Sequence, residues 1–315
     1  MSRRVTDTGT PRRGRSQAWL AKPERGSLSL LRAMTALSLR CGRRLSRPVL
    51  YLIVLYYWLA APATARHIRC YQQRVLTHRP RARDRFVQLL SFATCVHDRV
   101  FLLNDRFTHF VFEAYNEALL QRALARGTGC LLMGAHLGSF EVARSFGRQH
   151  PQVSVAMAMY AENARKINAV LAAINPHSVP SILPLGSIDA MLQIRARLDA
   201  GAFVGMLADR TLGDEPVVHL NFLGSSAPFP LGPWRAAALM RRPVLFIAGI
   251  YCGGNRYRIV VDEVADFTLT ERDEREAAIQ AAVARYVEIL EGYCRLCPYN
   301  WFNFFDFWHE QPSAN

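Results

Sequence analysis

Acidic residues are scarce in the N-terminal part of this 315-residue chain. Residues 1–85 contain three acidic residues against 19 Lys and Arg, a net charge of +16, whereas the remaining 230 residues carry −2. Basic clusters interrupted by apolar runs favour an anionic membrane surface as a partner. Nucleic acid is the alternative, but the basic residues flank long apolar runs and no nucleic-acid-binding motif is present, so we expect no nucleic-acid partner.

Several patterns that would assign another function are missing. The seven cysteines are odd in number and scattered, and no secretory signal peptide is apparent, so we expect reduced thiols. Cys294 and Cys297 form a single CxxC without a second pair, which argues against a structural zinc site. No Gly-x-Ser-x-Gly elbow occurs, which disfavours a serine hydrolase.

Uncharged apolar runs are also short. Residues 1–27, rich in Arg, Ser, Gly and Pro, are typical of a disordered basic tail. Residues 28–85 form a basic and apolar segment, in which the longest uncharged run, Pro48 to Ala65, is borderline for a membrane span. Because Arg clusters flank both sides, we expect an interfacial or re-entrant hairpin with both clusters on the cytoplasmic face; a buried core helix is the alternative.

Residues 86–310 form the predicted catalytic domain. It begins with helical patterns up to residue 126 and continues with strands that alternate with helices. Such alternation predicts an α/β fold, a mostly parallel central sheet flanked by helices. The predicted strands are Cys130–Met133, Val153–Met157, Ile182–Leu185, Phe203–Leu207, Val217–Phe222, Val244–Tyr251 and Tyr257–Val264, and the later helices are Asn163–Ile174, Ile188–Leu198, Trp234–Met240 and Glu271–Tyr293.

His136 is the main candidate for chemistry. It follows the first apolar strand, and Gly138 and Ser139 after it can open a helix, a position where open α/β sheets place their active sites. Glu141 lies five residues further on, and from the first helical turn it can reach back to orient the imidazole as a general base. The backbone amides of this turn favour a phosphate or a developing oxyanion. The alternative is a buried histidine with a carboxylate in a favourable first turn.

Asp209 and Arg210 form a second charged pair at the end of a buried strand. Arg210 can bind a phosphate or carboxylate through two hydrogen bonds, and Asp209 competes with Glu141 as the acid that orients His136. A salt bridge that only closes the strand is the alternative.

Two further segments are candidates for binding. Phe222 to Pro233 is predicted to be a long irregular loop, in which Gly224 can let the backbone approach a ligand; a simple turn is the alternative. Near the C-terminus, four aromatic residues follow the spacing of one helical face, which predicts a helix that closes the core, with an acyl-chain wall or membrane contact as the alternative. These residues are Trp301, Phe304, Phe305 and Trp308.

Together these residues resemble the lysophospholipid acyltransferase superfamily, in particular its bacterial lipid A late acyltransferase branch. The resemblance covers roughly residues 90–310 and the membrane-associated N-terminus. It is carried by Gly134 to Glu141, which is similar to the Gly-x-His-x4-acid motif of that branch, by Asp209 with Phe222-Leu-Gly224, and by the Pro-x-x-Trp ending at Trp301. Lipid A enzymes usually have Asp-Gln where this chain has Asp209-Arg210, so lipid A itself is not carried over as the acceptor.

The resemblance implies transfer of a fatty acyl chain from acyl carrier protein or acyl-CoA to a hydroxyl, or less often an amine, of a membrane lipid. It places the catalytic domain on the cytoplasmic face of the inner membrane and calls for no metal or redox cofactor. His136 would act as the base and Glu141 would orient it. The candidate substrate-binding residues are Gly138, Ser139, Asp209, Arg210 and Gly224. A membrane-bound scaffold of the same fold without catalysis is the alternative.

Overall fold

A computed structural model describes residues 28–149, 154–177, 182–211 and 215–308. The predicted basic tail, residues 1–27, lies outside the described residues. In the described part, the chain folds into N-terminal helices followed by an α/β domain. Its helices after the N-terminal group are α5 (Glu117–Ala125), α6 (Phe140–Gln149), α7 (Ala161–Ile174), α8 (Ile188–Asp199), α9 (Gly232–Met240) and α10 (Arg275–Leu296).

The basic N-terminal segment forms three helices: α1 (Leu28–Ser46), α2 (Pro48–Ala60) and α3 (Pro62–Val75). Pro62 has no N–H for a continuous helix, and α2 and α3 meet at a bend of 95°. With 13 residues, α2 is short for a membrane span. Of its residues only Leu50 and Val54 are buried, so α2 leaves an apolar surface exposed and is not the buried core helix that was the alternative.

Helix α4 (Ala82–Leu103) is the one single helix of the described residues that is long and apolar enough to cross a membrane. Most of its apolar window is buried inside the protein. It also carries Asp98, which is fully buried and receives two hydrogen bonds from Arg43 of α1, at 2.7 and 2.8 Å. Because a buried ion pair on α4 ties it to its neighbours, we interpret it as a core helix of the domain.

The central sheet has seven strands in the order β1-β9-β8-β2-β5-β3-β4, and β6 and β7 form a separate hairpin. All neighbouring pairs in the large sheet are parallel except β8 and β9, which confirms the predicted mostly parallel α/β fold. The strands are β1 (Val111–Tyr115), β2 (Cys130–Gly134), β3 (Val155–Tyr160), β4 (Ile182–Leu185), β5 (Phe203–Leu207), β6 (Val217–Phe222), β7 (Ser225–Pro230), β8 (Pro243–Tyr251) and β9 (Arg256–Asp266).

The sheet separates two buried clusters, because successive side chains of a strand point to opposite faces. Leu131 and Met133 of β2 pack with α8, α9 and α10, whereas Cys130 and Leu132 pack with α4 and α6. Strand β2 pairs in parallel with β5, and Gly134 lies opposite Leu207. The residues that follow each strand therefore emerge together at the carboxyl edge of the sheet.

Two segments differ from the prediction. Helical structure was expected over Ala114–Leu124, but Val111–Tyr115 forms the edge strand β1, and Asn116 turns the chain into α5 with a φ of 60°. Residues 225–230, expected within an irregular loop, form strand β7, which pairs antiparallel with β6. Prolines are tolerated on such an edge strand, but they make it look like a loop in the sequence.

The aromatic C-terminal segment is not a helix, so that part of the prediction is wrong, but Trp301 and Trp308 do pack in the buried core. Trp301 instead pairs with Leu137 in an isolated antiparallel bridge, and the chain continues without regular structure to Trp308. The Phe302 amide donates to the His136 carbonyl at 2.7 Å, and the Gly138 amide donates to the Asn300 carbonyl at 2.8 Å. The segment 298–308, which we call the C-terminal strap, therefore runs along the turn that contains His136.

Candidate active site

His136 and Asp209 meet at the carboxyl edge of the sheet. Each lies two residues beyond the end of its strand, β2 or β5, and these strands are neighbours. The Nδ1 atom of His136 lies 2.8 Å from Oδ1 of Asp209, and the backbone amide of His136 donates to Oδ2 at 2.9 Å. The parallel register of β2 and β5 thus brings together two residues that are 73 positions apart.

Asp209 is fully buried, and the C-terminal strap supplies its remaining partners. The indole Nε1 of Trp301 donates to Oδ2 at 3.1 Å, and Nδ2 of Asn303 donates to the same atom at 3.0 Å. A buried carboxylate needs such donors to stay ionised. The strap therefore fixes the carboxylate that holds the imidazole.

Neighbouring charges and hydrogen bonds keep Asp209 ionised, whereas burial and the charge of Arg210 keep His136 neutral at pH 7. Burial alone would raise the pKa of Asp209, but His136 and Arg210 outweigh it and lower the pKa to about 2. Burial lowers the pKa of His136 below its ordinary 6.5, and the charge of Arg210 lowers it further, against the opposing effect of Asp209. Because an ionised carboxylate only accepts hydrogen bonds, Nδ1 carries the proton and Nε2 has the free lone pair.

The Nε2 side of the imidazole is open to a substrate. The His136 side chain keeps 26% of its surface exposed, although Asp209 behind it has none. Nε2 makes no hydrogen bond with any residue that the structure describes. The arrangement therefore presents an oriented, unprotonated imidazole nitrogen to solvent, which is what a general base requires.

Glu141 does not contact the imidazole, and the expectation that it orients His136 is corrected by the geometry. Its carboxylate accepts a hydrogen bond from Nε of Arg144 at 2.9 Å, and both side chains are buried. Residues three apart on a helix share a face, so Glu141 in the first turn of α6 finds a partner on its own helix. Asp209, which the sequence left as the competing acid, occupies Nδ1 instead.

The turn between β2 and α6 does not offer the amides of Gly138 and Ser139 to a ligand, contrary to expectation. The Gly138 amide is bonded to Asn300, and the Ser139 amide donates to the Gly249 carbonyl at 2.7 Å. Gly138 has a φ of +68°, and a Cβ there would lie 2.1 Å from the Gly249 carbonyl oxygen. Both residues therefore serve to pack the turn against β8.

Arg210 lies beside His136 and Asp209, which we call the dyad, and is held by the C-terminal strap. Its Nε donates to Oδ1 of Asn303 at 2.6 Å, its Nη2 donates to the Phe302 carbonyl at 3.3 Å, and the guanidinium lies over the Phe305 ring. Burial lowers its pKa to about 10 against the opposing charge of Asp209, so Arg210 is charged at neutral pH. The structure thus places a fixed cation next to the imidazole.

Gly224 is not part of this cluster. It occupies the two-residue turn between β6 and β7, where Leu223 and Gly224 both have positive φ. A Cβ at Gly224 would meet nothing within 4 Å, so its role as a ligand contact stays a prediction. Asn303 was not predicted as a site residue, although it lies two residues after Trp301, which ends the Pro-x-x-Trp motif.

Comparison with known proteins identifies the family of the chain. The sequence model of the bacterial lipid A biosynthesis acyltransferase family matches residues 89–309, which include the dyad, Arg210 and the strap. A search of curated proteins finds no match.

Proposed function

Because the chain belongs to the bacterial lipid A biosynthesis acyltransferase family and is therefore an acyltransferase, we propose that it transfers a fatty acyl chain from acyl carrier protein or acyl-CoA to a hydroxyl of a membrane lipid. An amine is the second choice of acceptor. The observation that supports this reaction is the His136–Asp209 dyad with Nε2 facing solvent. A neutral, oriented imidazole is suited to remove the proton of a hydroxyl.

The reaction follows from the protonation states of the dyad. Nε2 of His136 takes the acceptor's O–H proton while the oxygen attacks the thioester carbonyl carbon. The carbonyl then carries a negative charge until the carbon–sulfur bond breaks. The departing thiolate receives the proton from Nε2, which gives an ester, a free thiol and the original enzyme. Asp209 stabilises the imidazolium that forms between these two proton transfers.

Arg210 is the group that we assign to the developing negative charge. The amides of Gly138 and Ser139 are bonded within the protein, and Arg210 is the cation whose charge acts directly on His136. Electrostatic stabilisation is strongest when the charged group is fixed before the reaction. The hydrogen bonds of Arg210 to Asn303 and Phe302 provide that fixation.

We also propose a location on the cytoplasmic face of the inner membrane, and the exposed residues of the N-terminal helices support contact with a membrane surface. Helix α2 exposes Leu52 by 69% and Leu59 by 67%, with Tyr51 and Tyr56 nearby on the same helix. Exposed apolar and aromatic residues beside basic clusters are typical of an interfacial helix. This arrangement favours the predicted bent hairpin at the membrane surface over a span.

The decisive experiment is turnover of acyl carrier protein and CoA thioesters by the full chain in the presence of total membrane lipid. Wild-type enzyme should release thiol and form an acylated lipid, and His136→Ala should lower the rate by at least about 10²-fold with an unchanged melting temperature. His219→Ala, an exposed histidine on β6, is the matched control. Near wild-type turnover by folded His136→Ala protein would refute the mechanism, and no turnover by wild type with either thioester would refute the proposed donors.

A further inference from the structure

A cavity of about 710 Å³ lies where α1 joins α2 against the turn between β8 and β9. Its lining includes Arg43, Arg44, Arg47 and His109, and none of its ten lining residues is acidic. A cavity with this composition attracts anions. We call it the basic pocket.

The arginines of the basic pocket are not equally neutralised. Arg43 is bonded to the buried carboxylate of Asp98, so its charge is compensated. Arg47 donates only to neutral groups, the Gly254 carbonyl at 3.1 Å and the Tyr251 hydroxyl at 2.8 Å, and its buried Nε has no partner among the described residues. Arg44 is exposed at the rim. Two positive charges therefore remain available to a ligand.

The basic pocket adjoins the apolar surface of the N-terminal helices. Leu45, between the two uncompensated arginines, is 75% exposed, and α2 with its exposed apolar residues begins directly after Arg47. A lipid presents the same order of chemistry, a phosphate next to acyl chains. A water-soluble phosphate would not need the apolar surface.

The basic pocket also lies on the same edge of the sheet as the dyad. Strand β8 runs parallel to β2, and its last residue, Tyr251, is bonded to Asn300 of the strap through both backbone groups, at 2.9 and 3.1 Å. The Asn300 carbonyl accepts the Gly138 amide in the turn after His136. A headgroup held in the basic pocket would therefore orient the active-site edge toward the membrane.

We infer that the basic pocket binds the phosphate of an anionic phospholipid headgroup through Arg44 and Arg47. The inference rests on the membrane location in the proposed function, but not on the acyl-transfer chemistry. In this inference, the affinity for an anionic membrane is concentrated at the basic pocket. The alternative is an affinity distributed over all the basic residues of the N-terminal segment.

The test is cosedimentation of the full chain with phosphatidylcholine vesicles, with and without phosphatidylglycerol. Arg44→Gln/Arg47→Gln should lose about 25-fold in partitioning to phosphatidylglycerol vesicles, since each charge contributes about 1 kcal/mol near an anionic surface. The control Arg79→Gln/Arg83→Gln removes the same charge from exposed positions outside the pocket and should lose less than about fivefold. Equal losses in both pairs, or no loss in the pocket pair, would overturn the inference.

Two further measurements separate the other outcomes. Arg44→Gln alone removes an exposed side chain with no described hydrogen bond, so a loss of about fivefold at an unchanged melting temperature supports the site even if the double variant is unstable. Turnover on detergent-dispersed lipid should be unchanged in these variants, which keeps this test independent of the mechanism. A tenfold higher KM for the thioester donor with unchanged vesicle binding would assign the pocket to the donor's phosphate and overturn the inference.

Discussion

Asn303 accepts a hydrogen bond from Arg210, with 2.6 Å between Oδ1 and the guanidinium Nε. The other end of the same amide donates to Asp209 at 3.0 Å. One strap residue thus fixes both charged groups that flank His136. An amide can do this because it has an acceptor and a donor at opposite sides, whereas an acid or an amine has only one kind.

Replacing Asn303 by leucine should therefore affect catalysis as well as stability. Asn303→Leu leaves Asp209 with one donor fewer and Arg210 without its Nε partner, so we expect kcat to fall about tenfold and the free energy of unfolding to fall by about 1–3 kcal/mol. Asn300→Leu is the control, because Asn300 is also a buried strap residue with two hydrogen bonds, but to Tyr251. Equal kcat values for the two variants would remove Asn303 from the positioning of the dyad.

Comparing Asp209→Asn with Glu141→Gln distinguishes the two acids. An amide at position 209 can no longer hold the correct tautomer of His136, so we expect kcat to fall by about 10²–10⁴-fold. Glu141→Gln leaves the buried Arg144 without its anion, which should cost about 3–5 kcal/mol of stability and change kcat little per folded molecule. A large loss of kcat in stable Glu141→Gln protein would restore the role that the His-x4-Glu motif predicts.

The order of elements was predictable because most strands are short apolar runs or, like Val217–Phe222, alternate between apolar and polar residues. Ile182–Leu185, Phe203–Leu207 and Val217–Phe222 have the predicted bounds. Strand β1 was missed because its residues are mostly exposed and it exists only through pairing with β9, far away in the chain. The sequence pattern of residues 111–115 alone does not indicate that they pair with β9.

The residues of the candidate site were predictable, but the contacts between them were not. His136, Asp209 and Arg210 were identifiable as polar residues that end buried strands. The choice of Asp209 over Glu141 depends on the register of β2 with β5, which the sequence leaves open. The strap was also unpredictable, because its aromatic spacing fits a helix, while its backbone hydrogen bonds go to the turn after β2.

The pH dependence of turnover should report the charges around His136. Since its pKa is lowered from 6.5, kcat/KM should be constant at neutral pH and fall only as the pH drops through a midpoint below 6.5, where the base becomes protonated. Arg210→Gln removes a charge that lowers this pKa, so the midpoint should rise. Asp209→Asn removes a charge that raises it, so the midpoint of its residual activity should fall. Full pH profiles of both variants measure these midpoints. Shifts in the same direction would show that the fall of kcat/KM at low pH reports the protonation of another group.

Adding a methyl group at Gly138 should disrupt the turn that carries His136. A Cβ there would lie 2.1 Å from the Gly249 carbonyl oxygen, and the residue has a φ of +68°, so we expect Gly138→Ala to lower the free energy of unfolding by more than about 1 kcal/mol. Gly224→Ala, also at positive φ but with open space around it, isolates the cost of the dihedral angle. Urea unfolding of both variants measures the difference, and equal losses would mean that the contact with β8 is unimportant.

Arg210→Lys tests whether Arg210 stabilises the developing oxyanion or binds the phosphate of the donor. Lysine keeps the positive charge but cannot reproduce the planar arrangement that bonds Asn303 and Phe302. If Arg210 stabilises only the oxyanion, the variant should lower kcat and kcat/KM equally, by about tenfold, with KM for the thioester unchanged. If Arg210 instead holds the donor's phosphate, KM should rise while kcat is maintained. Measuring kcat, KM and melting temperature on one preparation decides between them, and a loss of melting temperature with both constants unchanged would show that Arg210 only stabilises the strap.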